Sequence, residues 1–458
     1  MTEKVNSEEE RIGIRPEEKG GDANIPLLDT TKCALPLIHL HTWPNKNVFA
    51  CCISGYDTQI GTLEDGTLEE LFNNDNMKRI RKQMLNGERP KECRNCFKEE
   101  DTGGFSFRKT ANRDFRHHLH KWDEVKEDGT LEKMDLTYWD FRFSNVCSFS
   151  CRSCGPQLSS GWYKDTKKMY GGLNFEDNFD LIKERTIELW EQLEPHFETV
   201  ERIYFAGGEP LMMEEHYRIL KRLIKMGRKD VTLIYNTNLS QLNLKKDSVL
   251  DLWPHFNRVV VEASLDGVGK RGEFVRKGLD WEVWKENRRL IAEHCPNIVE
   301  FNINYTISIQ NTFHTREAME TLIEIGAIKG PHNFRFNLVH FPIWLNVTIL
   351  PDDMKQKVIQ YMEDWREDIN DVYNYPENQS INEAITAFLE YMNSEKGDDR
   401  KMEQFCRQME FIDSVRDECW QEELTELAHL DPDWTGERKE LDTLALRYET
   451  GRLNGYNE

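Results

Sequence analysis

Residues 134–154 read Met134-Asp-Leu-Thr-Tyr-Trp-Asp-Phe-Arg-Phe-Ser-Asn-Val-Cys147-Ser-Phe-Ser-Cys151-Arg-Ser-Cys154. The segment Met134–Ser144 is rich in aromatic residues and predicts a strand. It runs straight into a C-x-x-x-C-x-x-C loop. Three thiolates on one tight loop suit an iron-sulfur cluster, and a 4Fe-4S cube held by only three cysteines keeps one iron open to another ligand. A structural zinc site uses four ligands, and no further Cys or His follows in residues 155–164. A zinc loop that recruits a distant fourth ligand stays open as the alternative.

Downstream the texture alternates. Strands are predicted at Arg202–Ala206, Val231–Asn236, Val259–Ser264, Val299–Ser308 and His332–Val339, with helices over Phe179–Leu193, Glu215–Met226, Trp281–His294 and Arg316–Ile325. Strand, helix, strand in repeated succession implies an α/β fold with a parallel sheet of about six strands, counting Met134–Ser144 as the first. A partial barrel and an open doubly wound sheet both fit this order. Beyond Leu350 the pattern turns helical: Met354, Val358, Tyr361, Met362 and Trp365 form one apolar face, and Met402, Phe405, Cys406, Met409, Ile412, Val415 and Cys419 another. Cys406 and Cys419 on that stripe, and Cys295 at a helix end, read as core thiols.

Upstream, residues 1–30 are acidic and lack an apolar period, as a solvated tail does. Leu35–Ser54 predicts two short strands around the turn Pro44-Asn45-Lys46. Thr67-Leu-Glu-Glu70 is a capping box that opens a helix broken near Asn74 and ended by Gly87 and Pro90. Cys33, the pair Cys51-Cys52, and Cys93-Arg-Asn-Cys96 give this unit four ligand groups. Adjacent strand residues face opposite ways, so one of Cys51 and Cys52 faces the metal, with Cys52 favoured. On spacing alone, zinc and an iron-sulfur cluster both suit the set. Residues 101–129 form a polar link, in which His117, His118 and His120 read as solvated; His39 and His41 read as core packing.

Length and charge set the outer limits. A chain of 458 residues holds two or three domains. Its 60 Lys and Arg against 82 Asp and Glu leave a net charge of −22, which disfavours nucleic-acid binding. The longest largely apolar stretch, Phe341–Leu350, carries Pro342 and Asn346 and is too short to span a bilayer. The first 30 residues hold no export signal, so the expected compartment is the cytoplasm, where the 11 cysteines stay reduced and ready to ligate metal.

Three further motifs follow the cysteine loop in order: Gly207-Gly208-Glu209-Pro210, Asn236-Thr237-Asn238 and Ser264-Leu265-Asp266-Gly267. Each stands at the end of a predicted strand, where ligands sit in parallel α/β folds. Taken singly, each is also an ordinary turn. Together with Cys147, Cys151 and Cys154 they resemble the radical S-adenosylmethionine (SAM) superfamily over residues 33 to about 345. The resemblance implies a partial (β/α)6 barrel and a 4Fe-4S cluster on those three cysteines. It implies that the open iron chelates SAM, which is reductively cleaved to a 5′-deoxyadenosyl radical that abstracts hydrogen. Gly207, Gly208, Glu209 and Pro210 would then hold the SAM amino group, and Asn238, Ser264 and Asp266 would approach its ribose and carboxylate. Arg276 is a candidate partner for that carboxylate, against the alternative of a surface arginine. Ser153 stands where many members carry an aromatic, with Phe149 as a substitute near adenine.

The unit holding Cys33, Cys52, Cys93 and Cys96 resembles twitch or SPASM auxiliary-cluster domains, here ahead of the barrel. The implied parts are a tail over 1–30, the auxiliary-cluster unit and linker over 31–125, the barrel over 130–345 and a helical region over 346–458. The resemblance also implies an external reductant such as a flavodoxin or ferredoxin, and favours a peptide or protein side chain as substrate. A small metabolite or sugar is the alternative substrate. A zinc-stabilised, non-catalytic binding protein is the alternative class.

Overall fold

The computed structural model describes Leu27 and residues 30–101, 104–171, 186–296, 298–374 and 376–453. The tail expected over 1–30 and the first half of the helix expected over Phe179–Leu193 fall largely outside these residues. In chain order the strands are β1 His39–Thr42, β2 Asn47–Phe49, β3 Gly61–Thr62, β4 Tyr138–Phe141, β5 Arg202–Phe205 and β6 Thr232–Thr237. They continue with the small hairpin β7 Asn243–Leu244 and β8 Asp247–Ser248, then β9 Val259–Ser264, β10 Val299–Ile307 and β11 Phe334–Leu338.

All six strands of the α/β region form, in the order β4-β5-β6-β9-β10-β11, each parallel to its neighbour. Residues of β6 alternate along the strand: Leu233, Tyr235 and Thr237 are buried, while Ile234 and Asn236 are partly open. Buried Tyr235 meets His216 of the helix Glu214–Met226, 2.9 Å from hydroxyl to Nε2, so that face lies under helices. The other face is concave. Asn304 of β10 donates its amide to Asn236 of β6 at 2.8 Å, reaching over β9. In a flat sheet those strands would lie about 9–10 Å apart. Tyr204 of β5 joins the same chain through Asn236, so a polar row lines the inside of the curve.

The hairpin upstream is part of this sheet. β1 pairs in parallel with β4 from His39↔Tyr138 to Thr42↔Phe141, and β2 and β3 extend it antiparallel to a total of nine strands. Every residue of β1 is buried, as befits a strand covered on both faces. The core-packing expectation for His39 and His41 holds: His41 Nδ1 lies 2.9 Å from Asp140 Oδ2, and His39 stacks on Tyr138. The strand expected from Leu35 begins only at His39, because Leu35–Ile38 close one helical turn.

The capping box at Thr67 forms with both reciprocal bonds, and Asn74 caps the next helix, Asp75–Leu85. The polar link at 101–129 is more ordered than its composition suggests. It contains the helix Phe107–Asp114 and a 3-10 run Arg116–Glu124, held down by buried Ala111, Phe115 and Trp122. After β11 the helices Asp352–Val372, Gln379–Met392 and Asp399–Arg416 bury the two predicted stripes, and Cys295, Cys406 and Cys419 are core thiols.

Candidate functional site

The cysteine loop leaves the carboxyl end of β4 and is stitched down on three sides. Gly208 and Glu209 donate their backbone N–H to the carbonyls of Ser144 and Val146 at 3.1 and 2.7 Å, Ser160 to Asn145 at 2.8 Å, and Ser150 and Arg152 to Lys277 and Val275 at 2.8 and 2.9 Å. This brings Cys147, Cys151 and Cys154 to one cavity of about 280 Å³, together with Gly207, Gly208, Asn238, Ser264 and Arg276. Burial pushes the Cys154 thiol up to about 11 and raises those of Cys151 and Cys147. The Arg276 cation opposes that rise at all three.

Arg276 is largely covered, and Asp266 fixes it through an ion-pair contact from Nε to Oδ2 at 2.8 Å and a hydrogen bond from a terminal nitrogen to Oδ1 at 2.9 Å. Asp266 also accepts from the Thr306 N–H at 3.0 Å, so it stands behind the wall and aims Arg276 into the cavity. Asn238 turns its side-chain amide toward Cys147 Sγ at 3.6 Å. Glu209 does not line the cavity. Its carboxylate accepts from Thr237 Oγ1 at 2.6 Å, the Asn238 N–H at 2.7 Å and the Leu211 N–H at 3.0 Å, which ties the turn after β5 to the end of β6. Burial raises its pKa to about 7 against those donors. Pro210 opens the short turn that Glu209 caps.

Other walls of the cavity come from Trp43 and Arg142, which no motif announced, and from Asn236 and Phe149 within the motifs. Trp43, on the turn between β1 and β2, faces it with Arg142 stacked 4.3 Å over its ring. Asn236 supplies the polar row, and Phe149 lies beside the thiols. Arg152, between the second and third cysteines, is wholly buried and ion-paired to Asp413 and to Glu418, the latter at 2.6 Å. Arg416 reaches the Ser150 carbonyl at 2.7 Å and Asp165 at 2.8 Å, and Trp162 donates to the Cys151 carbonyl at 3.0 Å. The helix Asp399–Arg416 therefore grips the outside of the cysteine loop. An arginine inside a tight thiol loop was the available signal; its partners lie 261 and 266 residues away.

In the N-terminal unit, Cys33 feels the charge of Cys96, Cys93 feels both, and Cys51 feels Cys33. Cys52 lies instead within electrostatic reach of Tyr138, Arg142 and Tyr204. Of the pair, Cys51 is the one with an electrostatic link to Cys33. Burial pushes Cys33 up to about 12 and Cys96 up to about 11, while the Arg108 cation works the other way. Arg94 to Asp57, and the Asn95 amide to the Ile53 carbonyl at 2.8 Å, fasten the Cys93–Cys96 knuckle to the loop after Cys52.

Residues 141–323 match the model of the radical SAM superfamily, and residues 33–97 match SPASM, an iron-sulfur cluster-binding domain. The chain therefore carries a radical SAM domain, with a SPASM domain ahead of it. No curated protein matches it in sequence. Among solved structures it is similar to SuiB of Streptococcus suis, determined with S-adenosylmethionine bound, at 13% identity and a TM-score of 0.31 over 64% of this chain and 62% of that one. It is also similar to TYW1, determined with a lysine-pyruvate adduct, at 14% identity and a TM-score of 0.26 over 47% of this chain and 70% of that one. The chain thus spans less than two thirds of the SuiB chain. No helix among the described residues is long and apolar enough to cross a membrane.

Proposed function

We propose that the protein reductively cleaves SAM and uses the resulting 5′-deoxyadenosyl radical to abstract hydrogen from a peptide or protein side chain. The observation that carries this reading is the convergence of Cys147, Cys151 and Cys154, with Arg276, on one cavity bounded by the Gly207-Gly208 edge, Asn238 and Ser264. Thiols raised by burial stay protonated near neutral pH unless a metal takes the proton's place, so the donor set fits a thiolate-bound iron cluster. A single tetrahedral zinc would draw its sulfurs to about 3.8 Å of one another, given Zn–S bonds of about 2.3 Å. Among the described residues, only His117, His118 and Glu201 bring three ligand atoms within 4.8 Å; neither cysteine set is that tight.

In this reading Cys147, Cys151 and Cys154 hold the 4Fe-4S cluster. When bound, cluster and SAM supply one-electron cleavage and hydrogen abstraction. The chain's own part is placement and charge. Arg276, fixed by Asp266, offsets the negative charge of the thiolates and offers a remaining N–H to a carboxylate. The Asn238 amide donates to the Cys147 sulfur, a contact that tunes cluster potential. Gly207 and Gly208 allow backbone to approach the SAM amino group, and Glu209 holds that edge in place. Trp43, Phe149 and Leu158 give the cavity its apolar lining. Cys33, Cys51, Cys93 and Cys96 hold the auxiliary cluster, with Cys51 in the role first given to Cys52. The SPASM match favours a peptide substrate, and a flavodoxin or ferredoxin in the cytoplasm supplies the electron.

The test is anaerobic reconstitution with iron and sulfide, followed by measurement of 5′-deoxyadenosine. Wild type is expected to release it with a low-potential reductant and Cys151→Ala is not. Equal release from both would overturn the assignment. A short precursor-peptide gene beside this one, whose product gains a modification on co-expression, supports the peptide reading; turnover of a free sugar or metabolite instead replaces it.

A further inference from the structure

We propose that His117, His118 and Glu201 form a binding site for a borderline divalent cation such as zinc, separate from both cysteine sets. His117 Nε2 lies 2.8 Å from one Glu201 oxygen and His118 Nε2 2.9 Å from the other, and the three ligand atoms fall within 4.8 Å of one another. The two imidazole centroids are 4.2 Å apart. At that spacing two protonated rings would repel, whereas two neutral rings and one carboxylate are a common ligand set for zinc. One dication replaces the two ring protons that now point at Glu201.

The ligands come from two fixed elements. Glu201 immediately precedes β5, where its N–H donates to the Thr137 carbonyl at 2.8 Å and its own carbonyl accepts from Thr232 at 2.9 Å. The histidines sit on the 3-10 run Arg116–Glu124, anchored by Phe115 and Trp122 in the core. His118 N–H donates to the Phe115 carbonyl at 2.9 Å, and His120 Nδ1 closes on the His117 carbonyl at 2.8 Å. The Glu201 carboxylate is partly covered, with a side chain 37% accessible, and gives one oxygen to each histidine. The nearby Asp230 adds negative charge and is largely neutralised by Arg228 at 2.8 Å.

Imidazole nitrogen with a single carboxylate selects zinc, cobalt or nickel over magnesium and calcium, which prefer all-oxygen shells. The site lies at the amino end of β5, whereas Gly207 and the cavity lie past its carboxyl end, so this cation takes no part in SAM binding. His117 is about half exposed, with a side chain 53% accessible, which leaves a fourth position for water. A bound ion would staple the segment after the SPASM domain to the base of the sheet.

The experiment uses the holoenzyme, reconstituted with iron and sulfide, equilibrated with micromolar zinc chloride, desalted and assayed for both metals. Wild type is expected to retain one zinc per chain, with an X-ray absorption shell of nitrogen and oxygen at about 2.0–2.1 Å and no sulfur at about 2.3 Å. Glu201→Gln and His118→Ala should weaken zinc binding by at least about tenfold while iron content stays unchanged. Should Glu201→Gln fail to fold, the exposed His117→Ala decides the matter by the same readout. No retained zinc in wild type, zinc retained equally in the variants, or sulfur in the zinc shell would each overturn the proposal.

Discussion

Gly208 occupies a point where the chain leaves no room for a side chain. A Cβ there would strike the Val146 carbonyl oxygen and the Asn145 carbonyl, both backbone groups that cannot swing aside. Gly208→Ala is therefore expected to cost about 1–3 kcal/mol and to push the Gly207-Gly208 edge off the cysteine loop. A melting curve together with SAM binding to the reconstituted enzyme checks this; an unchanged midpoint and affinity would refute it. The glycines, like the three cysteines, were legible because their meaning is local. Arg276 was legible only as a candidate beside the surface alternative, because its place in the cavity depends on Asp266, which pairs with it from the end of β9. Nor could sequence show that Glu209 spends its carboxylate on Thr237, Asn238 and Leu211. Such facts depend on how distant segments meet, and spacing along the chain carries no record of that.

The helix Asp399–Arg416 shows the same division one level up. Its apolar stripe predicted a buried face, and the face is buried. Its destination was hidden, because the contact that fixes it is an ion pair from Asp413 to Arg152 inside the cysteine loop, with both side chains almost fully buried. Breaking such a pair strands a charge, at a cost of about 3–5 kcal/mol, whereas replacing both partners with apolar residues of similar volume is often near neutral. Asp413→Ala leaves Arg152 only Glu418, which it shares with Lys277, and should thus lower stability by up to that amount in urea and reduce the iron held after reconstitution. The double variant Arg152→Met with Asp413→Leu should recover most of the stability. If the single variant folds as wild type does, or the double variant is the worse of the two, the clamp is not what secures the loop.

At the scale of the molecule, the SPASM and radical SAM segments share one sheet. β1 lies between β2 and β4, its residues buried on both faces, and Trp43 from the turn after it walls the cavity beside Arg142. Burial works against the Asp140 charge, yet His41 and Arg142 hold its carboxyl well below the usual range, so the β1–β4 seam carries a buried charged contact as well as backbone bonds. Alternating strand and helix patterns revealed the six later strands, but the reading stopped at residue 130, because a four-residue strand flanked by a turn looks the same whether it pairs locally or with a strand 99 residues on. A seam of this kind couples the two segments thermodynamically, since neither edge can open without exposing the other's core. Urea unfolding of the apo-protein, followed by tryptophan fluorescence and by far-ultraviolet circular dichroism, is accordingly expected to give one coincident transition across 31–345. Asp140→Asn should move both probes to lower urea together. Two separated transitions, or a variant that shifts one probe alone, would mean that the cysteine-rich unit folds independently of the barrel and that the nine-stranded sheet is not a single cooperative structure.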